Sequence, residues 1–443
     1  MNNMTALASA TALALIPATA GAMAQDATAV AEAKVDARAV VADVRRILNE
    51  NYVLPDLRPK LDAALAKGLA EGRYDGLAPD ALAEKINADL DAVAHDAHLG
   101  MHRDPKQSVE LAARPRGAGA DDAPPTAEEI RFADRLNHGI LQLKVLPGNI
   151  RYMETVGFFW GGEKTKEVYD NAMRFLKGGD AIIIDMRKNG GGSPEAVQYM
   201  VSHFLEPNRP IVTFYMRGEK GDTWKSLASL PAGRLTGKPL YVLTGGRSAS
   251  AAEEFIGHIG GFKVGELVGE TTAGAGYRNE FFPVSGGYVI SVSVGRAVLA
   301  STGKDWEKVG LAPTIKADQE KALEVAQAHA LRKLAASATG RDKEVFEGSA
   351  QVLEAQLSPV ATALPLPQYV GVYGVRHITS DAGKLSFQRE GGPKGKLVAV
   401  GANEFAFIED PMQRVKFKVA GNSATELELI RSDGSRAVAA RNP

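Results

Sequence analysis

The spacing of hydrophobic and polar positions changes along the chain and divides it into regions. Between residues 28 and 103 apolar residues recur every three or four positions, as in Leu61, Leu65 and Leu69, which predicts amphipathic helices. Residues 104–127 lose this spacing and are rich in Pro, Gly, Ala and Arg. We therefore predict an N-terminal helical domain over residues 28–103, followed by a linker or loop.

Strand-like and helix-like spacings then alternate from residue 130 to residue 340. Leu141, Leu143 and Val145 alternate with polar residues, which predicts a strand with one buried face. The unbroken apolar run 181–184 predicts a strand that is buried on both faces. Because such strands alternate with helices, we predict an α/β core over residues 130–340, with a largely parallel sheet.

A third pattern covers the C-terminal part of the chain. Leu364-Pro-Leu-Pro367 is typical of a stiff linker. After it, residues 368–443 consist almost entirely of short strand-like runs, separated by turns such as Asp433-Gly434. The pattern predicts a small antiparallel β domain, either a barrel or a sandwich.

Composition excludes several classes of function. The 443 residues carry a formal net charge of −1, so no basic excess points to nucleic acid or to an anionic membrane. The chain has no cysteine, which rules out disulfides, thiolate catalysis and cysteine-ligated zinc. Beyond the N-terminus no apolar run is long enough to span a bilayer, so no integral membrane span is predicted.

Residues 1–24 have the pattern of a secretory signal peptide. An alanine-rich apolar run from Thr5 to Ile16 precedes Ala22-Met-Ala24, which fits a cleavage site. One feature departs from the pattern, since no basic residue occurs before Lys34. The alternative is an alanine-rich N-terminus without a fixed structure. The signal pattern predicts secretion across the inner membrane, to the periplasm.

The stretch from Leu240 to Ile259 carries the first candidate for chemistry. A short apolar run, a glycine turn and a helical pattern follow one another, which places Ser250 at the N-terminus of a helix. The unpaired N–H groups and the dipole there would stabilise an oxyanion, so Ser250 is a candidate nucleophile. The alternative is a simple cap, because Ser250 and Glu253 fit the capping-box spacing.

Backbone N–H groups could complete such a site. The N–H of Ala251 and one N–H from Gly190, Gly191 or Gly192 are candidate oxyanion donors, since glycine lets the backbone approach a substrate closely. The glycine run could equally be an ordinary turn between a strand and a helix.

A serine nucleophile also needs a base and a group that orients the base. His98 is the candidate base, with a surface or capping histidine as the alternative. His95 and His98 could form a metal pair, but no third ligand is evident, and we expect neither metal nor cofactor. Glu307 is the candidate orienting carboxylate, with an exposed loop carboxylate as the alternative.

Four motifs occur in a fixed order over residues 185–313. They are Asp185-Met-Arg-Lys-Asn-Gly-Gly-Gly192, Ser248-Ala-Ser-Ala-Ala-Glu-Glu-Phe255, Val268-Gly-Glu-Thr-Thr-Ala-Gly274 and Trp306-Glu-Lys-Val-Gly-Leu-Ala-Pro313. In these motifs the chain resembles the tail-specific (C-terminal-processing) serine peptidase family. The resemblance is to the branch that contains the tricorn core protease and interphotoreceptor retinoid-binding protein.

The resemblance implies a crotonase-like (ClpP-like) α/β core, with Ser250 as nucleophile, His98 as base and Glu307 as the orienting carboxylate. Ala251 and a glycine from 190–192 would supply the oxyanion donors. The bacterial processing branch uses a serine–lysine dyad, but this chain has Ala275 in the segment that would hold the lysine. There is also no room for a PDZ domain between His98 and Ala181, where part of the core must also fit.

Two main functions follow from these features. The first is a secreted serine peptidase that hydrolyses peptide or protein substrates through a Ser-His-Glu triad. The second is a non-catalytic ligand-binding protein on the same fold, as the retinoid-binding relative suggests. A generic esterase would share the nucleophile with the peptidase and differ only in its substrate.

Overall fold

A computed structural model describes residues 35–113, 124–216 and 220–443, so the predicted signal peptide (residues 1–24) lies outside the described residues. The helices are α1 (Ala37–Asn51), α2 (Arg58–Ala70), α3 (Pro79–Ala94), α4 (Pro105–Ala113), α5 (Ala127–Arg135), α6 (Glu163–Lys177), α7 (Pro194–Ser202), α8 (Ala251–Gly261), α9 (Ala322–Ser337) and α10 (Gly340–Leu357).

The strands are β1 (Gly100–Arg103), β2 (Ile140–Leu146), β3 (Ile150–Thr155), β4 (Ala181–Asp185), β5 (Pro210–Met216), β6 (Asp222–Lys225), β7 (Leu240–Thr244), β8 (Glu266–Gly269), β9 (Tyr277–Val284), β10 (Tyr288–Leu299), β11 (Ile315–Lys316), β12 (Gly371–Tyr373), β13 (Arg376–Asp381), β14 (Lys384–Arg389), β15 (Lys394–Gly401), β16 (Glu404–Phe407), β17 (Arg414–Ala420), β18 (Ser423–Ile430) and β19 (Arg436–Ala440).

The chain divides into two compact units, and the first is built from three separate segments. Among the described residues it comprises 35–113, 214–216, 220–221 and 277–297, and the second unit holds the remainder. The alternating spacing predicts an α/β core over residues 130–340, and two stretches of that range lie in the first unit.

In the first unit, helices α1 to α3 pack on an antiparallel sheet. Asp36 caps α1 by accepting the N–H groups of Arg38 and Ala39. Apolar residues of the three helices, such as Val44 and Ile86, are fully buried in one cluster with residues of β9 and β10. Strand β10 is antiparallel to both β1 and β9. The helical spacing between residues 28 and 103 therefore marks one side of a helix-on-sheet core.

The segment predicted as a linker or loop, residues 104–127, is partly helical. Helix α4 occupies Pro105–Ala113, with proline at its first position, where no N–H is needed. The N–H of Gln107 bonds to the Asp104 carboxylate. Residues 114–123 lie outside the described part of the chain. The loop prediction is therefore wrong for the first third of this segment, where composition obscured a short helix.

The second unit contains a six-stranded sheet with the order β11-β8-β7-β4-β3-β2. Its pairs are parallel except for β2 with β3, in agreement with the predicted largely parallel sheet. The central strand β4 is buried along its whole length, as its unbroken apolar run predicts. Helix α9 covers one face of the sheet, through small residues that include Ala326 and Ala330.

Strand β2 forms as predicted, but its apolar face is not buried. Leu141, Leu143 and Val145 are 50%, 40% and 56% exposed. The strand lies at the edge of the sheet, so only one side of it has a neighbouring strand. Alternation along a strand fixes which residues share a face, whereas the position of the strand in the sheet decides whether that face is covered.

The C-terminal strands form a closed antiparallel sheet within the second unit. Strands β12 to β19 follow one another in sequence order, each antiparallel to the next. A bridge between Tyr373 and Arg441 joins the two ends of this order. Closure removes unpaired edges, and Tyr369, Phe405 and Phe417 pack at its centre. The antiparallel strands predicted over residues 368–443 are confirmed as a C-terminal antiparallel sheet.

None of the helices in the described part of the chain combines the length and the hydropathy that a membrane crossing requires.

Candidate active site

Ser250 lies on a sharp turn between β7 and α8 in the second unit. Its backbone has φ 55° and ψ −123°, a conformation that residues other than glycine seldom adopt. Holding it costs about 1–3 kcal/mol, and such strain persists only where the surrounding structure imposes it. The sequence lacks the G-x-S-x-G pattern of the nucleophile elbow, but the backbone makes the same kind of strained strand-to-helix turn.

Hydrogen bonds from the neighbouring strand end fix this turn. Buried Ser248 donates its hydroxyl to the Met186 carbonyl at 2.8 Å and accepts the Gly245 N–H at 3.1 Å. The N–H of Ala249 donates to the Asn189 carbonyl at 3.1 Å. Ser248 is therefore a structural residue, although it stands only two positions from Ser250.

The glycine loop 190–192 lies directly against Ser250. A Cβ atom on Gly191 would be 2.8 Å from the Cβ of Ser250 and 3.1 Å from the backbone nitrogen of Ala251. Gly191 also has φ 103°, which disfavours any side chain. The structure thus brings together Ser250, Ala251 and this loop, and the loop needs glycine at 191 for close approach.

The three glycine N–H groups differ in their surroundings. The N–H of Gly191 donates to Oδ1 of Asn189 at 2.9 Å, and the N–H of Gly190 donates to the Val156 carbonyl at 3.4 Å. Within the described residues the N–H of Gly192 has no acceptor. Two of the three predicted oxyanion donors are therefore engaged in holding the loop, which leaves Gly192 available.

Asn189 was not predicted as a site residue. Its side chain is fully buried, accepts from Gly191 and donates to Oγ1 of Thr155 at 3.2 Å. Asparagine offers both a donor and an acceptor, so it can link the loop to β3. Its place directly before the glycine run was a usable signal, since Asn is common in turns.

Asp185 and Arg187 anchor the start of the same loop. The Arg187 guanidinium contacts both carboxylate oxygens of Asp185 and donates to the Gln319 carbonyl. Asp185 also accepts the hydroxyl of Tyr152 at 2.8 Å. Hydrogen bonding to Asp185 raises the pKa of Arg187, and burial of the guanidinium opposes this shift. These charged residues of the first motif hold the strand end in place.

Glu307 lies in the second unit, on the segment before β11. Its Oε2 atom accepts the N–H of Gly276 at 2.6 Å. The adjacent Trp306 is buried and donates its indole N–H to the Ala275 carbonyl at 3.2 Å. Glu307 is half-buried, and its carboxylate is hydrogen-bonded.

Ala275 occupies the segment where the serine–lysine branch would carry its lysine. The residue is only 4% exposed, and its N–H donates to the Glu253 carboxylate at 2.8 Å. Its carbonyl accepts from Trp306. The backbone of Ala275 is therefore buried and hydrogen-bonded through both its N–H and its carbonyl.

His98 lies in the first unit, between α3 and β1. Helix α3 ends at His95, which adopts the left-handed conformation with φ 48°. Asp96 accepts the N–H of His98 at 2.9 Å and the hydroxyl of Tyr52 at 3.1 Å. Burial lowers the pKa of the His98 imidazole, and the Asp96 carboxylate opposes this shift.

The Nδ1 atom of His98 is buried and has no hydrogen-bond partner among the described residues. A buried ring nitrogen without a partner is unusual for a purely structural histidine. The backbone of the His95–His98 segment is set by Asp96, a residue that the sequence did not single out. His98 thus combines a hydrogen-bonded backbone with a buried imidazole whose pKa is lowered.

A serine held in a strained turn at a helix N-terminus, beside a glycine loop, is typical of serine hydrolases. Residues 149–317 match the family model described as Peptidase family S41. Residues 20–140 match the model of the N-terminal domain of Peptidase_S41 in eukaryotic IRBP. The two matched regions together span more than half of the chain, and the chain belongs to peptidase family S41.

One curated protein is similar over part of the chain. The carboxy-terminal processing protease CtpB of Bacillus subtilis (strain 168) is 29% identical over 160 residues, which are 35% of this chain and 32% of that protein. The chain thus spans about a third of the length of this curated relative.

Two solved structures are similar at low identity. A lipoprotein from Streptococcus agalactiae has a TM-score of 0.46 and 13% identity, over 66% of this chain and 95% of its own. The photosystem II D1 C-terminal processing protease has a TM-score of 0.42 and 17% identity, over 65% of this chain and 94% of its own.

Proposed function

We propose that this protein is a serine peptidase that hydrolyses peptide bonds in peptide or protein substrates. The observation that carries the proposal is the strained backbone of Ser250, held against the glycine loop. A helix cap does not need φ 55°, because capping serines ordinarily have extended backbone angles. Membership of peptidase family S41 supports the same activity. The crotonase-like assignment of the α/β core belongs to this proposal.

The proposed reaction is acyl transfer to Ser250. The Oγ atom attacks the substrate carbonyl carbon while its proton passes to His98, and Glu307 orients and stabilises the resulting imidazolium. The N–H groups of Ala251 and Gly192 stabilise the oxyanion. His98 then gives its proton to the leaving amine as the peptide bond breaks, and water hydrolyses the acyl-enzyme with the same groups.

The place of action is part of the proposal. Residues 1–24 would be removed as a signal peptide, and the mature protein would act in the periplasm. The formal net charge of −1 gives no reason to expect a nucleic-acid partner.

Reaction with a fluorophosphonate probe, which labels activated serines, tests the proposal. We expect the wild-type protein to be labelled, and Ser250→Ala and His98→Ala to lose labelling while remaining folded. Ser248→Ala is the matched control, because Ser248 is a buried serine of the same turn that bonds only to backbone. Labelling that survives Ser250→Ala would overturn the proposal.

A non-catalytic ligand-binding protein is the second candidate. Residues 20–140 match the model of the N-terminal domain of Peptidase_S41 in eukaryotic IRBP, and Ala275 stands where the processing branch has a lysine. This candidate predicts a folded wild-type protein that no fluorophosphonate labels and an apolar ligand that co-purifies. An esterase would be labelled but would turn over esters and leave amides intact.

A further inference from the structure

Glu253 is a fully buried carboxylate, and no cation among the described residues forms an ion pair with it. Its Oε1 atom accepts the Thr272 hydroxyl at 2.6 Å and the Gly274 N–H at 2.7 Å. Its Oε2 atom accepts the N–H of Ser250 at 2.9 Å and that of Ala275 at 2.8 Å. Each oxygen therefore receives two donors, which is the full acceptor capacity of an ionised carboxylate.

The next N–H group along the chain points to a different carboxylate. Gly276 donates to Glu307 at 2.6 Å, directly after Gly274 and Ala275 donate to Glu253. Three consecutive N–H groups are thus divided between two glutamates. The Lys308 N–H also donates to the Gly274 carbonyl at 2.7 Å, which fixes the backbone directly after Glu307.

The segment 274–276 needs glycine at both ends for this arrangement. Gly274 has φ 80°, and a Cβ atom on Gly276 would lie 2.6 Å from the backbone nitrogen of Glu307. The segment therefore runs in close contact with the chain that carries Glu307. Any shift of Glu253 would be transmitted to both Ser250 and Glu307.

We infer that Glu253 is a positioning residue that sets the spacing between the nucleophile Ser250 and the orienting carboxylate Glu307. This inference rests on the proposed function and adds a specific linkage within it. Through one oxygen Glu253 holds the N–H of Ser250, and so the strained turn. Through the segment 274–276 it holds Glu307.

A simple helix cap would need only one of these bonds. Capping requires that Glu253 accept the Ser250 N–H, and nothing more. The other three donors come from a segment about twenty residues further along the chain, which a cap does not involve. The full set of donors therefore points to a role beyond helix capping.

The test compares two adjacent buried glutamates of α8. Glu253→Gln keeps the shape of the side chain but turns one oxygen into an NH₂ group that faces two donors. Glu254→Gln is the matched control, because Glu254 is 4% exposed and pairs with His258 instead of the turn. The fluorophosphonate labelling rate is measured against probe concentration, with thermal unfolding measured in parallel.

We expect Glu253→Gln to lower the maximal labelling rate at least tenfold, with the half-saturating probe concentration unchanged within twofold. Glu254→Gln should stay within twofold of the wild-type rate, even if both variants unfold at lower temperature. The inference would be overturned if folded Glu253→Gln were labelled at the same rate as Glu254→Gln. In that case labelling of the wild-type protein would still support the proposed function.

If Glu253→Gln does not fold, a milder variant tests whether Glu253 is a positioning residue. Thr272→Val removes one of the four donors and leaves the carboxylate in place. We expect its labelling rate to fall at least threefold, and an unchanged rate would overturn the inference. A wild-type protein that is never labelled would instead overturn the proposed function, and this inference with it.

Discussion

Gly191 and Ser250 approach each other so closely that no side chain fits between them. A Cβ atom on Gly191 would lie 2.8 Å from the Cβ of Ser250 and 2.9 Å from the Ala249 carbonyl oxygen. Both residues have positive φ angles, 103° and 55°. The contact joins the second motif of the chain to the first, across about sixty residues of sequence.

Gly191→Ala should abolish fluorophosphonate labelling and lower the free energy of unfolding by about 1–3 kcal/mol, through overpacking and a disfavoured φ. Gly190→Ala is the control, because a Cβ atom there meets nothing within 4 Å and the residue has no positive φ. It should change the free energy of unfolding by less than about 0.5 kcal/mol. Urea unfolding of both variants checks this, and equal destabilisation would contradict it.

The backbone strain at Ser250 should lower the free energy of unfolding of any variant that keeps a side chain at this position. Ser250→Gly and Ser250→Ala both remove the hydroxyl, but only glycine adopts φ 55° and ψ −123° without strain. Strain relief of about 1–3 kcal/mol exceeds the entropy cost of glycine, about 0.5–1 kcal/mol. We expect Ser250→Gly to be more stable than Ser250→Ala by about 1 kcal/mol in chemical unfolding.

Ser248 is the control, because the stability difference between its glycine and alanine variants should have the opposite sign. Ser248 has no positive φ, so glycine there gives only the entropy cost. Ser248→Gly should therefore be less stable than Ser248→Ala by about 0.5–1 kcal/mol. The same order at both positions would show that the backbone of Ser250 carries no strain.

The pH dependence of labelling should follow the environment of His98. A base must be neutral to accept a proton, and burial lowers the pKa of this imidazole below the ordinary value of about 6.5. The neutral form then persists as pH falls, so the labelling rate should begin to decline only below that value. A profile of labelling rate against pH checks this. The range from about pH 4.5 to about pH 8 brackets the ordinary pKa of histidine.

Asp96→Asn separates the two influences on His98. The Asp96 carboxylate raises the pKa that burial lowers, so its neutralisation should move the acidic limb of the profile to still lower pH. A limb that stays in place in Asp96→Asn, or that lies above about 6.5 in the wild type, would exclude His98 as the titrating base.

Because the apolar face of β2 is exposed, we expect truncation of its side chains to cost little stability. Leu143 and Met153 are paired across β2 and β3, yet Leu143 is 40% exposed and Met153 is fully buried. Leu143→Ala should cost less than about 1 kcal/mol of unfolding free energy, whereas Met153→Ala should cost about 2–5 kcal/mol. Similar losses in denaturant unfolding would mean that Leu143 is covered in solution.

Much of the architecture could be predicted from the sequence because it depends on local patterns. The 3.6-residue spacing marked α1 to α3, and the unbroken apolar run marked the central strand β4. The strand, turn and helix around Ser250 were visible in the same way. The capping-box spacing correctly predicted that the Glu253 carboxylate reaches the Ser250 N–H.

Helix α10 and strands β3 and β9 were not predicted. Their hydrophobic patterns are short or weak, and their neighbours in the fold stabilise them. Helix α10 packs along α9, and β9 pairs with β10. Likewise, spacing along the chain gave no indication that the first unit collects three separate segments.

The sequence by itself determined which residue types these segments carry, namely a serine and a glycine run at strand-to-helix turns, one glutamate in α8 and another before β11. The tertiary structure decided what each of them does. Strain at Ser250, the engaged N–H of Gly191 and the four donors to Glu253 all depend on contacts between segments far apart in sequence. Local spacing carries no information about such contacts, because only packing of the folded chain brings those atoms together.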